Sequence, residues 1–414
     1  MNDQHHGAQS HNMRLLSNNR LNGFGGVGEG MAMQITPDGR RILWLAHEGP
    51  PKNFTAVDVT NPRDTKIVCQ TDLPHTRMRS NSLDITGDLM VVCYQVSVPG
   101  DSPAGIELFD ISDPENPRSV SFFDMSGPHS RGVHCCWFAD GEFVHCSAGA
   151  SDFQPRHLRD DQIYRIIDVR NPSKPVEAGR WWLPGTREGD VEPAPARVRP
   201  MPLDNIRGPD AFRLHNANVY PERPDRAYLG YIDGGAIILD ISDKSDPKVV
   251  GTWNPHPPYP GFTHTVMPLL NRDLLIVTDE CVQDNAEDWP KLTWVVDARK
   301  EDNLVPISTF PLPSVEEFGH KGGRFGSHNI HENRPGPSMR SETIIYGCFF
   351  NAGVRIFDIS NPYRPETVAW YVPPMPEGSR VSTAQMNDIY VDERGIIYSV
   401  DRWSGGLYVL EADI

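Results

Sequence analysis

The sequence repeats one short phrase, and this repetition limits the possible fold more than any other feature. An apolar run ends in an acidic residue and a turn, as in Ile-Glu-Leu-Phe-Asp-Ile-Ser-Asp-Pro at 106–114 and Val-Arg-Ile-Phe-Asp-Ile-Ser-Asn-Pro at 354–362. Further copies lie at 54–62, 164–172, 236–243, 292–299 and 406–413, so neighbouring copies are about 50 to 70 residues apart. This period is typical of a four-stranded propeller blade with its loops. The chain is therefore predicted to be all-β and to form a seven-bladed β-propeller.

The acidic residue of each copy is interpreted as a turn residue rather than a catalytic one. A carboxylate at this point can accept backbone N–H bonds in the turn that follows the strand. We expect this role for the acids of all copies: Asp58, Asp110, Asp168, Asp240, Asp297, Asp358 and Glu411.

The two ends of the chain predict how the ring closes. The last copy runs into the C-terminus, so no outer strand remains for the seventh blade. A spare strand-like run, Met-Arg-Leu-Leu at 13–16, precedes the first blade. Pairing this run with the C-terminal blade would protect an exposed sheet edge. We therefore expect one propeller over residues 13–414 and a mobile N-terminal tail over residues 1–12.

Composition narrows the classes of partner and the cellular location. The formal net charge of −16 argues against binding to nucleic acid or to an anionic membrane surface. No apolar run reaches membrane-spanning length, and the N-terminus has no apolar core of a signal peptide. The seven cysteines are an odd number without regular spacing, which favours reduced thiols and a cytoplasmic protein. The sequence gives no indication of the oligomeric state.

The repeats resemble those of a known family. The Asp-Ile-Ser-Asn-Pro phrases, together with Arg-Leu-Asn-Gly-Phe-Gly-Gly at 20–26 before the first blade, are similar to LVIVD-repeat proteins. The resemblance extends over nearly the whole chain and implies a propeller fold. It implies no particular activity, because the family is a class of repeats rather than of enzymes.

Four of the fifteen histidines occupy an equivalent place near the start of the first strand in successive blades. They are His134, His215, His264 and His328. First strands line the channel of a propeller and begin at the same mouth, so these imidazoles are predicted to converge near the axis. Inheritance from a His-bearing ancestral blade is the alternative. It is disfavoured because blades 1, 2 and 7 carry Gly30-Met31-Ala32, Ser80-Asn81-Ser82 and Met386-Asn387-Asp388 there.

We therefore predict one divalent metal ion held by these four histidines. All-imidazole ligation suits Fe²⁺, Cu²⁺, Zn²⁺ or Mn²⁺. The number and placement of the histidines are similar to those of the carotenoid-cleavage oxygenases, and this resemblance favours Fe²⁺. It also implies glutamates that orient the ligand imidazoles from behind, for which Glu29 and Glu280 are available acids.

Other residues near the first strands are candidates for substrate contacts. Arg79, Arg131 and Arg213 precede these strands and could bind the carboxylate or phenolate group of a substrate, or else form salt bridges. Two long connections, 185–211 and 313–326, enter the strands of His215 and His328 and are expected to act as lids.

These features favour a metal-dependent enzyme, most directly an Fe²⁺-type oxygenase that acts on a small aromatic or unsaturated organic substrate. Four neutral ligands leave the charge of the ion uncompensated and provide no carboxylate base, which favours O₂ activation. A lyase or hydrolase that uses the ion as a Lewis acid is the alternative, and would work without O₂. A non-catalytic propeller that binds partners is a third possibility, and it predicts no stoichiometric metal.

Overall fold

A computed structural model describes residues 7–24, 26–198 and 210–414. Within these ranges the chain forms seven antiparallel sheets arranged as the blades of a ring, together with a short two-stranded ribbon. Helix is limited to α1 (Val315–Phe318) and one 3₁₀ turn (Leu21–Gly23) in the described residues. The prediction of an all-β, seven-bladed propeller is confirmed. None of the helices described is long and apolar enough to span a membrane.

The strands follow the order of the repeats. Two strands precede the first blade: β1 (Gln9–His11) and β2 (Met13–Asn19). Blade 1 contains β3 (Val27–Ile35), β4 (Arg41–His47), β5 (Lys52–Asp58) and β6 (Lys66–Asp72). Blade 2 contains β7 (Met78–Arg79), β8 (Leu83–Thr86), β9 (Leu89–Val96), β10 (Gly105–Asp110) and β11 (Arg118–Asp124). The ribbon of β12 (Ser126–Gly127) and β13 (Ser130–Arg131) leads into blade 3.

The later blades repeat this plan. Blade 3 contains β14 (Val133–Trp137), β15 (Phe143–Ala148), β16 (Ile163–Asp168) and β17 (Val176–Trp181). Blade 4 contains β18 (Asn216–Tyr220), β19 (Arg223–Gly230), β20 (Ala236–Asp240) and β21 (Lys248–Trp253). Blade 5 contains β22 (Thr263–Leu269), β23 (Leu274–Asp279), β24 (Thr293–Asp297) and β25 (Val305–Thr309). Blade 6 contains β26 (Ile344–Cys348), β27 (Val354–Asp358) and β28 (Glu366–Val372), and blade 7 contains β29 (Met386–Val391), β30 (Ile397–Asp401) and β31 (Leu407–Ala412).

The middle strands of each blade form the core between blades. In β4 the run Ile42–Ala46 is fully buried, because both faces of this strand pack against other sheets. Such a strand has a continuous apolar run rather than the alternation of a half-exposed strand. The outer strands, such as β11, show a partly exposed pattern. The core therefore fixes the inner strands rigidly around the channel.

The repeated acids act as turn residues. In six copies the carboxylate accepts a hydrogen bond from the backbone N–H two residues further on, at 2.7–3.0 Å: Asp58, Asp110, Asp168, Asp240, Asp297 and Asp358. This confirms the turn prediction for these six. Glu411 differs, because its carboxylate pairs with Arg14 of β2.

The ring closes through the N-terminal strand, as the sequence predicts. Strand β2 pairs antiparallel with β31, from Met13 opposite Ala412 to Asn19 opposite Leu407. Strand β1 continues onto the neighbouring blade and pairs with β28, the last strand of blade 6. The last residues of the segment expected to be a mobile tail therefore pair with a sheet, whereas residues 1–6 lie outside the described part of the chain.

One segment crosses the far mouth of the channel. Arg334 pairs with Asp84 of blade 2 at 2.7 Å and stacks over the Trp137 ring of blade 3. In the same segment the Pro337 carbonyl accepts a hydrogen bond from the Tyr390 hydroxyl of blade 7. Contacts with three blades fix this segment across the channel, so the starts of the first strands face the open mouth.

Candidate metal centre

One position of the repeat supplies the side chains that meet at the axis. It lies at or just before the start of the innermost segment of each blade, opposite the end of the next strand; in blade 6 this segment is irregular and joins β26 through an isolated bridge from Ile330 to Gly347. In chain order its occupants are Glu29, Asn81, His134, His215, His264, His328 and Asn387. The four predicted histidines are thus equivalent, and the structure brings them together.

A local irregularity of the strand aims these side chains inward. The pairing of β14 with β15 skips His134, and the pairing of β22 with β23 skips His264. Asn387 is skipped in the same way between β29 and β30. An extra residue that is left out of the ladder bends the strand and redirects its side chain, as β-bulges do beside functional sites. The repeated bulge explains why these residues face the axis.

The four imidazoles lie in an arc around Glu29. The ligand atoms of Glu29, His264 and His328 lie within 4.8 Å of one another, and so do those of Glu29, His134 and His215. The Nε2 atoms of His134 and His215 are 2.9 Å apart. The His215 ring lies 3.7 Å, centre to centre, from that of His264, which lies 4.8 Å from that of His328. His264 and His328 are fully buried, and His215 is nearly so. Blades 3 to 6 therefore form a continuous arc of nitrogen ligands.

Glu29 completes the arc from the opposite side. Its Oε2 atom lies 3.8 Å, 3.6 Å and 3.5 Å from the Nε2 atoms of His134, His215 and His264. Its Oε1 atom lies 3.4 Å from Nε2 of His328. A single buried carboxylate thus faces all four imidazoles on the side where an ion would bind.

The outer nitrogens of the rings are held by the protein. Nδ1 of His328 donates to the Asn387 carbonyl at 2.6 Å, and Nδ1 of His215 faces Oδ1 of Asn216 at 2.8 Å. Nδ1 of His134 lies 3.1 Å from Oε1 of Gln95. An acceptor at Nδ1 fixes the proton of His215 and His328 there and leaves Nε2 with a free lone pair, whereas Nδ1 of His134 also faces the donor Nη2 of Arg79 at 3.3 Å. For His215 and His328 the arrangement therefore suits metal ligation through Nε2.

The surroundings of His134, His215 and Glu29 shift the pKa values of these three groups. Burial lowers the pKa of His215 to about 4 and lowers that of His134 well below its usual value. Burial acts to raise the pKa of Glu29, but His215 and the contacts of His264 and His328 together hold this pKa well below the usual range. At neutral pH His134 and His215 are thus neutral, and Glu29 carries a negative charge.

The sequence indicated Glu29 as an available acid without placing it against a particular histidine. It matched Gly30-Met31-Ala32 of blade 1 with the histidine position, whereas the structure puts Glu29 there, on the Nε2 side of the rings. The flanking glycines were the available signal, since a Cβ atom on Gly28 or Gly30 would lie 2.3 Å from the backbone of blade 2.

Glu280 is the second carboxylate of the centre and follows β23 directly. Its oxygens lie 3.8 Å from Nε2 of His215 and 3.6 Å from Nε2 of His328. Arg324, which sequence reasoning did not single out, pairs with Glu280 at 2.7 Å. Burial opposes ionisation, but His328 and Arg324 hold the pKa of Glu280 down to about 2. Glu280 is therefore a charged neighbour on the Nε2 side, not behind the rings.

Arg79 reaches the edge of the centre. Its guanidinium pairs with Glu48 at 2.6 Å and donates to Oε1 of Gln95, the same atom that faces His134. Glu48 directly follows β4 and also pairs with Arg402, which directly follows β30. Two guanidinium groups thus share one carboxylate at the open mouth, which leaves an excess of positive charge there.

Arg131 and Arg213 form a second group. Arg131 binds Asp161 through Nε at 2.6 Å and Nη2 at 3.2 Å, and Arg213 contacts the same carboxylate at 3.3 Å. The salt-bridge alternative therefore describes both side chains in the structure, while their contact with a substrate stays a prediction. Burial lowers the pKa of Arg213 to about 10, so it remains charged at neutral pH.

Of the two connections predicted to act as lids, the structure describes 313–326 in full and 185–211 only in part. Residues 199–209 of the 185–211 connection lie outside the described ranges. The 313–326 connection contains α1 and then places Arg324 beside Glu280. A Cβ atom added at Gly323 of this connection would lie 2.5 Å from the Gln385 side chain, so the connection packs closely against blade 7. Lid motion stays a prediction.

The donor set fits a divalent ion. Among the described residues, Nε2 of His264, Nε2 of His328 and Oε2 of Glu29 are buried atoms without a hydrogen-bond partner. The Nε2 atoms of His134 and His215 lie 2.9 Å apart, a spacing that fits either an N–H···N hydrogen bond or two ligands of one cation. Nitrogen ligands at right angles with bonds of about 2.1 Å would be about 3 Å apart.

Comparisons with known proteins support the repeat architecture. The family model of the LVIVD repeat matches residues 162–181 and 225–254. These stretches cover β16 and β17 of blade 3, and much of β19 with β20 and β21 of blade 4. The chain thus carries LVIVD repeats within a seven-bladed propeller. No curated protein matches the chain. The proposed likeness to carotenoid-cleavage oxygenases rests on the histidine pattern alone.

Proposed function

We propose that the protein is a metal-dependent enzyme whose ion is bound by the four histidines and Glu29. The observation that carries the proposal is the convergence of four Nε2 atoms and a buried carboxylate, three of whose atoms lack hydrogen-bond partners. A buried charge and unpaired polar atoms are costly unless a partner compensates them. A divalent ion compensates the carboxylate and the imidazoles at once.

The donor set favours Fe²⁺, with Mn²⁺ and Cu²⁺ as the nearest alternatives. Zinc is almost always four-coordinate, and catalytic zinc sites usually have three protein ligands. Four imidazoles and one carboxylate exceed this number. A mixture of imidazole and carboxylate ligands suits iron, which accepts six ligands in non-haem sites. Zn²⁺ is therefore the least favoured of the ions that the histidine pattern allows.

An oxygenase that acts on a small aromatic or unsaturated compound is the function best supported by this set. Bound Fe²⁺ would supply the binding and activation of O₂, which protein side chains cannot provide. Five protein ligands leave little room for a substrate on the ion, so the substrate is expected to be held by protein groups beside it. Glu29 supplies negative charge to the ion, and Gln95, Asn216 and Asn387 fix the imidazole rings.

One observation favours Lewis-acid chemistry as a second candidate. The sequence argument against it assumed a centre without a carboxylate, but Glu29 and Glu280 both lie beside the Nε2 atoms. Both are ionised at neutral pH, because their pKa values are lowered. Either group could take a proton from a substrate or a water molecule, as a lyase or hydrolase requires.

Metal analysis and oxygen dependence test the proposal in turn. Protein purified without a His-tag should contain about one ion per chain. A chain that binds no ion stoichiometrically would favour the non-catalytic propeller instead. Once a substrate that the protein turns over is known, turnover should stop under strict anaerobiosis, and ¹⁸O from ¹⁸O₂ should enter the product. Full turnover without O₂, or with Zn²⁺ in place of the native ion, would leave Lewis-acid chemistry as the function.

A further inference from the structure

A pocket of about 460 Å³ lies between blades 7 and 1 on the same side of the ring as the histidines. Its lining includes the aromatic rings of Phe24 and Trp403, together with Glu48 and Arg402. Small-molecule sites commonly have volumes of about 300–1,000 Å³ and combine apolar or aromatic walls with a few charged groups. The pocket thus has the size and composition of a site for one small organic molecule.

The charge of the pocket is positive. Three cationic side chains line it, Lys52, Arg380 and Arg402, whereas Glu48 is the one acid in its lining. The charge of Glu48 is already shared, because Oε1 of this residue accepts hydrogen bonds from both Arg402 and Arg79. Lys52 is paired with Asp72 at 2.6 Å, so among the described residues of the lining the cation without an ion pair is Arg380, which an anionic ligand would balance.

Arg380 is the cation of the lining that has no acidic partner in the described residues. Its guanidinium lies 5.1 Å from the centre of the Trp403 ring, in cation–π contact. The side chain of Arg380 is exposed, and it forms no ion pair in the part of the chain that the structure describes. Arg402 approaches the same ring at 5.9 Å. Two guanidinium groups beside one indole leave hydrogen-bond donors at the edge of an aromatic surface.

The pocket is joined to the metal centre by two hydrogen bonds. Nη1 of Arg402 donates to Oδ1 of Asn387 at 3.0 Å, and the Asn387 carbonyl accepts from Nδ1 of His328 at 2.6 Å. Arg402 of the pocket and His328 of the centre therefore contact the same residue, Asn387.

We propose that this pocket binds the carboxylate end of an aromatic acid, and that such an acid is the substrate of the metal centre. The inference rests on the proposed function, because it assigns the pocket to that centre. The carboxylate binds Arg380 and Arg402, the aromatic ring packs against Trp403 and Phe24, and the unsaturated part extends towards the imidazoles. Arg380 and Trp403 determine specificity; neither is a catalytic residue.

Calorimetric titration with cinnamate tests the pocket independently of activity, with cinnamamide as the uncharged analogue. The metal-free protein should bind cinnamate at least about 10-fold more tightly than the amide, the size of one charge-assisted hydrogen bond. Arg380→Gln and Trp403→Leu should each weaken cinnamate binding about 10-fold. Arg364→Gln, an exposed arginine on the rim of blade 6, should leave it unchanged. Equal affinity for acid and amide, or full affinity in both pocket variants, would overturn the proposal.

A second measurement tests whether the bound acid reaches the centre. The ¹⁹F signal of 4-fluorocinnamate should relax faster with Mn²⁺-loaded protein than with Zn²⁺-loaded protein, because only Mn²⁺ is paramagnetic. The Arg380→Gln variant should lose this difference at the same ligand concentration. Tight binding without faster relaxation would place the acid away from the metal and refute its role as substrate. Loss of metal binding alone would refute the proposed function, and the metal-free titration would still report on the pocket.

Discussion

The replacement Glu29→Gln tests whether this carboxylate is part of the metal centre. The substitution keeps the size of the side chain and removes its negative charge. In the metal-free protein that charge is buried within 3.4–3.8 Å of all four Nε2 atoms. We expect opposite effects on the two forms: the metal-free protein should be no less stable than the parent, whereas the affinity for the ion should fall steeply.

The size of the loss follows from the distances. Two unit charges about 4 Å apart interact by about 4 kcal/mol at the effective dielectric constant of about 20 that suits protein sites. The amide oxygen of glutamine still offers a lone pair, so part of the interaction with an ion survives. Even replacement of groups that only support metal ligands costs about 10- to 100-fold in affinity. For Glu29→Gln we therefore expect at least about a 100-fold loss, or about 2.7 kcal/mol.

Chelator competition at neutral pH measures this affinity, and thermal denaturation with and without metal reports the stabilisation that the ion provides. If the variant binds the ion 100-fold more weakly, the same excess of metal should stabilise it by about 2.7 kcal/mol less than it stabilises the parent. Asp392→Asn is the control, since Asp392 is also buried but its carboxylate accepts hydrogen bonds from Arg394 and Tyr398 and contacts none of the described groups of the centre. An affinity for Glu29→Gln within about threefold of the parent would refute the assignment.

Three further outcomes are expected. His134→Ala and His264→Ala should each lose most of the bound metal, whereas His145→Gln, a change at a buried histidine outside the centre, should keep it; full occupancy in the first two would contradict the ligand assignment. Deletion of residues 1–20 removes β1 and β2 and should lower the melting temperature by about 5 °C or more, so an unchanged melting curve would contradict the closure. Burial lowers the pKa of His331 to about 4, so the unfolded chain binds a proton that the folded chain excludes, and stability is lost as the pH falls from about 6.5 towards 4. Between pH 6.5 and 5 the free energy of unfolding of His331→Gln should therefore fall by about 2 kcal/mol less than that of the parent. Urea titrations at the two pH values measure this, and an equal fall in parent and variant would contradict the expectation.

The fold could be predicted because the repeat encodes it locally. Each acidic turn residue, such as Asp110 or Asp358, ends the third strand of its blade through a hydrogen bond two residues away. Such local signals survive in a single sequence. The closure by β2 was also predictable, since the last blade lacked an outer strand. The pairing of β1 with blade 6 was not, because three polar residues carry no apolar pattern.

The site was predicted less completely, and the reason is geometric. Histidines that recur at matching positions of the repeat can be recognised in the sequence. The positions of the carboxylates in the centre depend on the exact register of the strands. At Glu29 the ladder between β3 and β4 is interrupted from Val27 to Met31, and this interruption displaced the sequence alignment. Glu280, Arg324 and Arg402 lie outside the first strands, so only the assembled ring brings them to the mouth.

The two asparagines at the axis position explain how one repeat position can hold a centre that is not symmetric. Asn387 donates to the carbonyls of Val27 and Gly28, and the Asn81 carbonyl accepts from the backbone N–H of Glu29. The backbone around Glu29 is therefore held from both neighbouring blades, by the side-chain amide of Asn387 and by the backbone carbonyl of Asn81. Asn387 also accepts from His328, so the backbone that carries the carboxylate and the arc of imidazoles share a residue. An amide can donate and accept without titrating, whereas a histidine or acid in its place would add a ligand or a charge. The sequence of the seven axis residues thus sets the number of ligands and the charge of the centre, while the repeated strands supply its geometry.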